Sequence, residues 1–348
     1  MILNRKQGHF LADTIDQWQQ ANVITPEDAV RLRNSYSVRP FDWKRLAMYC
    51  FWVAIICGVI AVGAILADDW FANLSEASMC VVATGLASLM FYLGLRRRQK
   101  YPTKIYSSEA LMFVGVLFTS TAIGLLGVLL DNGSGHVGML FLLGTAIFAG
   151  LGLWFPSKLI WVFSLISLGA WFGTESGYVS GWGMYFLGMN YPMRFVAFGA
   201  GLTALSLVFR RIPKLAMFFK PTYVMGLLNL FIALWLLSIF GNYGDMHNWY
   251  DAGTFELFHW CVLFALVAIG AIVLGLKFDD ATSRGFGLVF LFINLYTRYF
   301  EYFWNFSHKA IFFLILAVSF GLLGWKAESI WHLEFVRKKD EVSQKESA

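Results

Sequence analysis

The chain has 348 residues, of which 58% are hydrophobic and 14% charged, with a formal net charge of +5. Its mean hydropathy is +0.61. A soluble domain carries about a quarter charged residues, so this much apolar side chain needs lipid as its solvent. The basic residues lie in short clusters between apolar runs, which argues against a nucleic-acid partner and for a role in setting orientation in a bilayer.

Residues 1–41 read as a cytoplasmic helical leader. Leu11, Ile15 and Trp18 form the stripe of an amphipathic helix. Thr25-Pro26-Glu27-Asp28 then reads as a second helix start, with Thr25 as N-cap, Pro26 in the first turn and acidic residues behind it. Ala29, Leu32, Arg33 and Tyr36 continue that helix on one face. Arg31, Arg33 and Arg39 invite comparison with a DNA-binding helix pair, but so short a leader buries little core. Docking on the membrane domain, or on a cytoplasmic or membrane protein partner, is the stronger reading. The leader has no cleavable signal pattern, so the first apolar segment is expected to direct its own insertion.

Residues 42–331 form the expected transmembrane domain. A bilayer core needs about twenty apolar residues per helix. That ruler predicts ten spans, at 46–66, 75–95, 110–130, 137–155, 159–172, 193–209, 223–240, 255–276, 285–303 and 310–325. The fold class is therefore an all-α, polytopic bundle of about ten helices. The Gly- and aromatic-rich stretch 178–191 reads as interfacial or re-entrant. Residues 332–348 are a polar cytoplasmic tail.

Charge supports this threading. With the N-terminus cytoplasmic, all of the 27 Lys and Arg except Arg194, Arg298 and Lys309 fall on the cytoplasmic side, as the positive-inside rule expects. Asp68, Asp69, Asp131, Glu175, Asp245 and Asp251 fall on the other, and Trp residues cluster near the helix ends. Small residues four apart, such as Ala83/Ala87 and Ala271/Gly275, allow close helix packing in lipid. The four cysteines lie in apolar segments without metal or disulfide spacing and read as packing residues.

Several short motifs resemble a family of predicted bacterial membrane proteins known only as a domain of unknown function. They are Trp18 with Ile24-Thr25-Pro26-Glu27, Asp69-Trp70, Ser108-Glu109-Ala110, the stretch Asn294-Leu295-Tyr296-Thr297-Arg298-Tyr299-Phe300-Glu301-Tyr302-Phe303-Trp304, and Lys326-Ala327-Glu328. The resemblance implies a bacterial inner-membrane location and no particular activity.

Ionisable residues inside a membrane are costly, which makes Arg298 the leading candidate site residue. Glu301 follows one helical turn later, and Asp68, Asp69 and Asp131 at neighbouring helix ends complete a candidate anion or proton site. The competing reading is a structural ion pair with a snorkelling Arg. Glu109, Glu76 and Glu256 each follow a Ser or Thr and read as first-turn carboxylates at capped helix starts. Glu256 and His259, with Asp245 and His247 just upstream, form a weak candidate metal set lacking a second carboxylate–His step. No cofactor is implied, because phosphate-loop, nucleophile-elbow, zinc-protease and dinucleotide motifs are all missing from the sequence.

Three function classes follow. Ten short-looped helices suit a small-solute carrier built from two oppositely oriented halves, although no similarity between the halves is visible. The leader suits an interaction or sensing protein. A membrane-embedded enzyme of lipid or envelope precursors would use Arg298, Glu301 and the acidic loops at a headgroup.

Overall fold

The structure is a computed structural model. It describes residues 2–3, 5–21, 23–38, 49, 53, 57–58, 75–102, 105–131, 133, 136–304, 309–319, 321–322 and 325. Most of the first expected span (46–66), Asp68 and Asp69, and the tail 332–348 lie outside these residues.

The leader folds as two helices, α1 (Arg5–Gln20) and α2 (Pro26–Asn34). Thr25 caps α2 by accepting from the Asp28 amide at 3.2 Å, and Pro26 starts the helix, where its missing N–H costs nothing. Ile15 and Ala29 are buried, while Trp18 and Leu32 from the expected stripes are exposed. Arg33 forms an ion pair with Asp16 of α1. Two-residue strands, β1 (Ile2–Leu3) and β2 (Ser37–Val38), pair in parallel at the ends of this leader.

The rest is helical: α3 (Glu76–Lys100), α4 (Ile105–Leu129), α5 (Gly138–Trp154), α6 (Lys158–Val179), α7 (Tyr191–Arg211), α8 (Phe219–Phe240), α9 (Met246–Asp251), α10 (Thr254–Lys277), α11 (Ala281–Phe303) and α12 (Lys309–Ser319). A 3₁₀ turn, Ala216–Phe218, leads into α8. Among the described residues six helices are long and apolar enough to cross a bilayer: α3, α4, α6, α7, α8 with its 3₁₀ turn, and α10. A 25-residue helix such as α3 is about 37 Å long, more than the hydrocarbon thickness. Helices α5 and α12 are apolar but shorter. The chain is thus a multi-pass helical membrane protein with six such spans among the described residues; the count of about ten is not confirmed, and most of the first expected span lies outside those residues.

Two expected boundaries change. Helix α4 begins at Ile105, so Glu109 lies beyond the first turn and is not a cap residue. It instead accepts from Ser157 Oγ at 2.9 Å and lies 3.8 Å from Arg98, which donates to the carbonyls of Phe155 and Pro156. The fifth span continues past 172 to Val179, because the polar residues that end the apolar run are satisfied within the helix. Thr174 donates to the Ala170 carbonyl and Ser176 to the Gly173 carbonyl. Residues 180–190 then form successive turns, with a bridge between Phe186 and Met189.

The chain divides into two compact units, residues 1–183 with 205–225 and residues 184–204 with 226–348. In the first, the hairpins α3/α4 and α5/α6 pack around Phe91, Met112, Val116, Phe148 and Ile160. Trp161 stacks on Phe218 and donates its indole N–H to Thr222 at 2.9 Å. In the second, α7 and α8 approach closely at Gly199, where an added Cβ would lie 2.4 Å from the Leu230 amide nitrogen. The hairpin α10/α11 is similarly tight at Gly287, where a Cβ would lie 2.6 Å from the Ala268 carbonyl oxygen.

The hairpins α3/α4 and α10/α11 share a pattern. Cys80-Val81 leads at one fixed spacing to Leu93-Gly94-Leu95-Arg96, and Cys261-Val262 leads at the same spacing to Leu274-Gly275-Leu276-Lys277. Each thiol donates to the second helix of its own hairpin, Cys80 to the Ala122 carbonyl and Cys261 to Asn294 Oδ1. Gly94 and Gly275 both face the second helix closely.

Candidate functional site

The second unit contains a stripe of buried polar residues on α11. Ser283, Gly287, Phe290, Asn294 and Arg298 recur every three or four residues and are all buried, so one face of the helix turns polar toward its C-terminal end. Facing them are α8 and α10. Asn294 donates to the Cys261 carbonyl at 3.1 Å while accepting from that residue's thiol. Thr297 accepts from the Trp235 indole at 3.0 Å.

Arg298 is only 8% exposed. Its Nη2 donates to the Ser238 carbonyl at 2.9 Å, and its Nη1 forms an ion pair with Glu301. The Ser238 carbonyl is available because the last carbonyls of a helix have no partner within it. Helix α8 ends there at Gly241, whose φ of +59° is the left-handed conformation typical of a helix end. The guanidinium also complements the negative end of that helix dipole. Arg298 Nε is buried without a hydrogen-bond partner among the described residues, and Nη1 meets Glu301 without hydrogen-bond alignment.

Further from the C-terminal end of α11 the same three helices are closed by aromatic rings. Phe231 and Phe264 are fully buried, and Phe231 stacks on Phe290 at 5.0 Å and on Phe286 at 6.1 Å. The polar end therefore gives way to a core of packed phenylalanines within the same three helices.

A second polar assembly in this unit was not singled out in the sequence. Asn190 caps α7 by accepting from the Met193 amide, and its Nδ2 donates to the carbonyls of Gly241 and Tyr243. Asn242 accepts from the Asn190 amide and donates to the Gly188 carbonyl. Arg194, with no exposed surface, donates to the carbonyls of Met189 and Met184 and lies over the Tyr191 ring at 4.5 Å. An Asn two residues before Pro192 was the available signal, since Asn favours the N-cap and Pro the first turn.

The other candidates disperse. Asp131 belongs to the first unit, where it accepts from the Gly133 amide. Glu76 does sit in the first turn of α3, with Ser75 as cap. Glu256 lies in the first turn of α10, but the cap position is Gly253. Its carboxylate accepts from the Tyr243 hydroxyl at 2.9 Å, and that hydrogen bond raises the Tyr243 pKa above its usual value. His259 packs against Trp260, His247 pairs with Asp251 at 3.0 Å, and Asp245 caps α9 at the Asn248 amide. Among the described residues no three His, Cys, Asp or Glu side chains are grouped to hold a metal ion.

The first unit has two further features. A groove of about 290 Å³ runs between α3, α4 and α5, but the residues lining it carry no charge. His136 pairs with Glu175 at 2.8 Å and stacks on Tyr178 at 4.0 Å, with Gly138 leaving room for the carboxylate.

Comparison with protein-family models, with curated proteins and with solved structures finds no match to this chain.

Proposed function

We propose that the chain is a small-solute carrier of a bacterial inner membrane, with both termini cytoplasmic and the polar end of α11 open to the outer side. The observation that carries this reading is Arg298, buried among apolar helices with an Nε–H that no acceptor among the described residues engages. A buried guanidinium is costly unless it is paired or liganded, so one with a donor to spare marks a candidate anion site. The bacterial location and orientation rest on the family resemblance and on the one-sided distribution of Lys and Arg. The shared spacing of α3/α4 and α10/α11 favours direct repeats over inverted halves, a plan also found in carriers.

A second reading, a membrane interaction protein, is favoured by the leader, where Phe10 and Val30 are exposed on a folded helix pair. Deletion of residues 1–38 separates the two. A carrier retains ligand-induced thermal stabilisation in detergent, by about 2.7 kcal/mol at a hundredfold excess over the dissociation constant. An interaction protein yields no stabilising solute and loses a crosslinked partner on deletion.

A further inference from the structure

We propose that Arg298 is the recognition residue for a solute bearing a carboxylate or phosphate group, and that Glu301 occupies its place when no solute is bound. The inference rests on the carrier reading and names its ligand class.

A guanidinium carries five N–H donors in a planar fork that matches the two oxygens of a carboxylate or phosphate. In Arg298 one donor reaches the Ser238 carbonyl, Nη1 faces Glu301, and Nε is unengaged. The surrounding polar side chains are already paired. Ser238 donates to the Trp235 carbonyl, Thr297 to the Ile293 carbonyl, and Asn294 exchanges bonds with Cys261. Among the described residues of this unit, Arg298 is the one buried side chain with an N–H, at Nε, that has neither a hydrogen-bond acceptor nor an ion-pair partner. Unpaired buried donors are rare in native folds and call for a partner, whether ordered water, an ion or a ligand.

Glu301 supplies the second observation. It is the carboxylate one turn along the same helix, and its side chain is 30% exposed against 10% for Arg298. A buried guanidinium needs a counter-charge at all times. Glu301 provides one when the site is empty, and its exposure lets it turn out to water when an incoming oxyanion takes over. The exchange keeps one cation facing one anion, so no net charge is added to the buried site. Two other charges among the described residues of this unit are engaged elsewhere. Lys309 donates to the Trp304 carbonyl and lies over the Trp304 ring, and Glu256 is engaged by Tyr243. The charge and donor pattern of a planar or tetrahedral oxyanion head therefore match Arg298, whereas neutral and cationic solutes have nothing to displace.

The test is calorimetric titration of the full-length protein in detergent, at constant ionic strength set with chloride. The probes are benzoate, inorganic phosphate, phosphatidylglycerol and, as a neutral control, glycerol. Benzoate or phosphate is expected to bind, Glu301→Gln to tighten binding about tenfold by removing the internal competitor, and Arg298→Lys to abolish it. Because Glu301→Gln leaves Arg298 and its Ser238 contact in place, it tests the exchange even if Arg298→Lys fails to fold. Binding of phosphatidylglycerol alone, with the same response to Glu301→Gln, upholds the oxyanion site but overturns free-solute transport. Anion binding that is unchanged in Glu301→Gln, or that survives in Arg298→Lys, overturns the proposal. Glycerol binding with no anion binding overturns it too, while leaving the carrier reading standing.

Discussion

Asn190 Nδ2 donates to the Gly241 carbonyl at 2.7 Å while its Oδ1 accepts from the Met193 amide, so one side chain fastens the start of α7 to the end of α8. Asn190 is only 4% exposed, and its loss strands a buried carbonyl, a half-buried one and a helix-end amide. Asn190→Ala is expected to destabilise the protein by about 2–4 kcal/mol, combining a lost cap with unsatisfied buried groups. Thermal or denaturant unfolding in detergent checks this. A loss below the range expected for the cap alone would show that water replaces the side chain.

Helix packing gives a paired prediction. A Cβ at Gly199 would meet the Leu230 backbone at 2.4 Å, whereas at Gly201 it would meet nothing within 4 Å. Gly199→Ala should cost about 1–3 kcal/mol through overpacking against backbone that cannot yield. Gly201→Ala should be neutral or slightly stabilising by helix propensity. Equal unfolding temperatures for the two variants would contradict the close approach of α7 and α8.

Trp161 and Thr222 should behave as a unit. Trp161→Phe and Thr222→Val each remove the same buried hydrogen bond, for about 0.5–1.5 kcal/mol. In a double-mutant cycle the second change should then cost less than it does alone. Strict additivity would mean that the indole and hydroxyl do not interact.

Tyr243 gives a pH dependence. Its hydroxyl donates to Glu256, and this hydrogen bond, followed by burial and the nearby negative charge, raises its pKa above 10.0. A group raised in the folded state contributes stability that is present below its unfolded pKa and is lost as pH rises through the folded value. Stability should therefore fall on the alkaline side of pH 10, and Glu256→Gln should move the Tyr243 titration back toward pH 10. Ultraviolet difference absorbance of the wild type against Tyr243→Phe reads that titration directly.

Much of this architecture is legible in the residues. Apolar run length finds the helices because lipid leaves the backbone no other form. The Thr25 cap and the Arg298–Glu301 pair follow from local spacing. What escapes depends on partners distant in sequence. Glu109 reads as a cap beside Ser107 and Ser108, yet its hydrogen-bond donor, Ser157, lies 48 residues away. The apolar ruler ends the fifth span at 172, although Thr174 and Ser176 bond within the helix and Glu175 pairs with His136 from 39 residues upstream. Arg194 reads only as an outer-side charge at the start of a span, because its acceptors are the main-chain carbonyls of Met184 and Met189, which leave no mark in the sequence. The unengaged Arg298 Nε is likewise a property of packing between α8 and α11 and not of spacing.

The most direct test of the carrier reading is uptake of labelled benzoate and phosphate by proteoliposomes holding the full-length protein, with Arg298→Lys measured alongside. Uptake above protein-free vesicles by the wild type, lost in a folded Arg298→Lys variant, is the predicted result. Equal uptake by the two proteins would contradict the role assigned to Arg298. Uptake of neither anion by a wild type that binds both would leave a binding protein and remove the carrier.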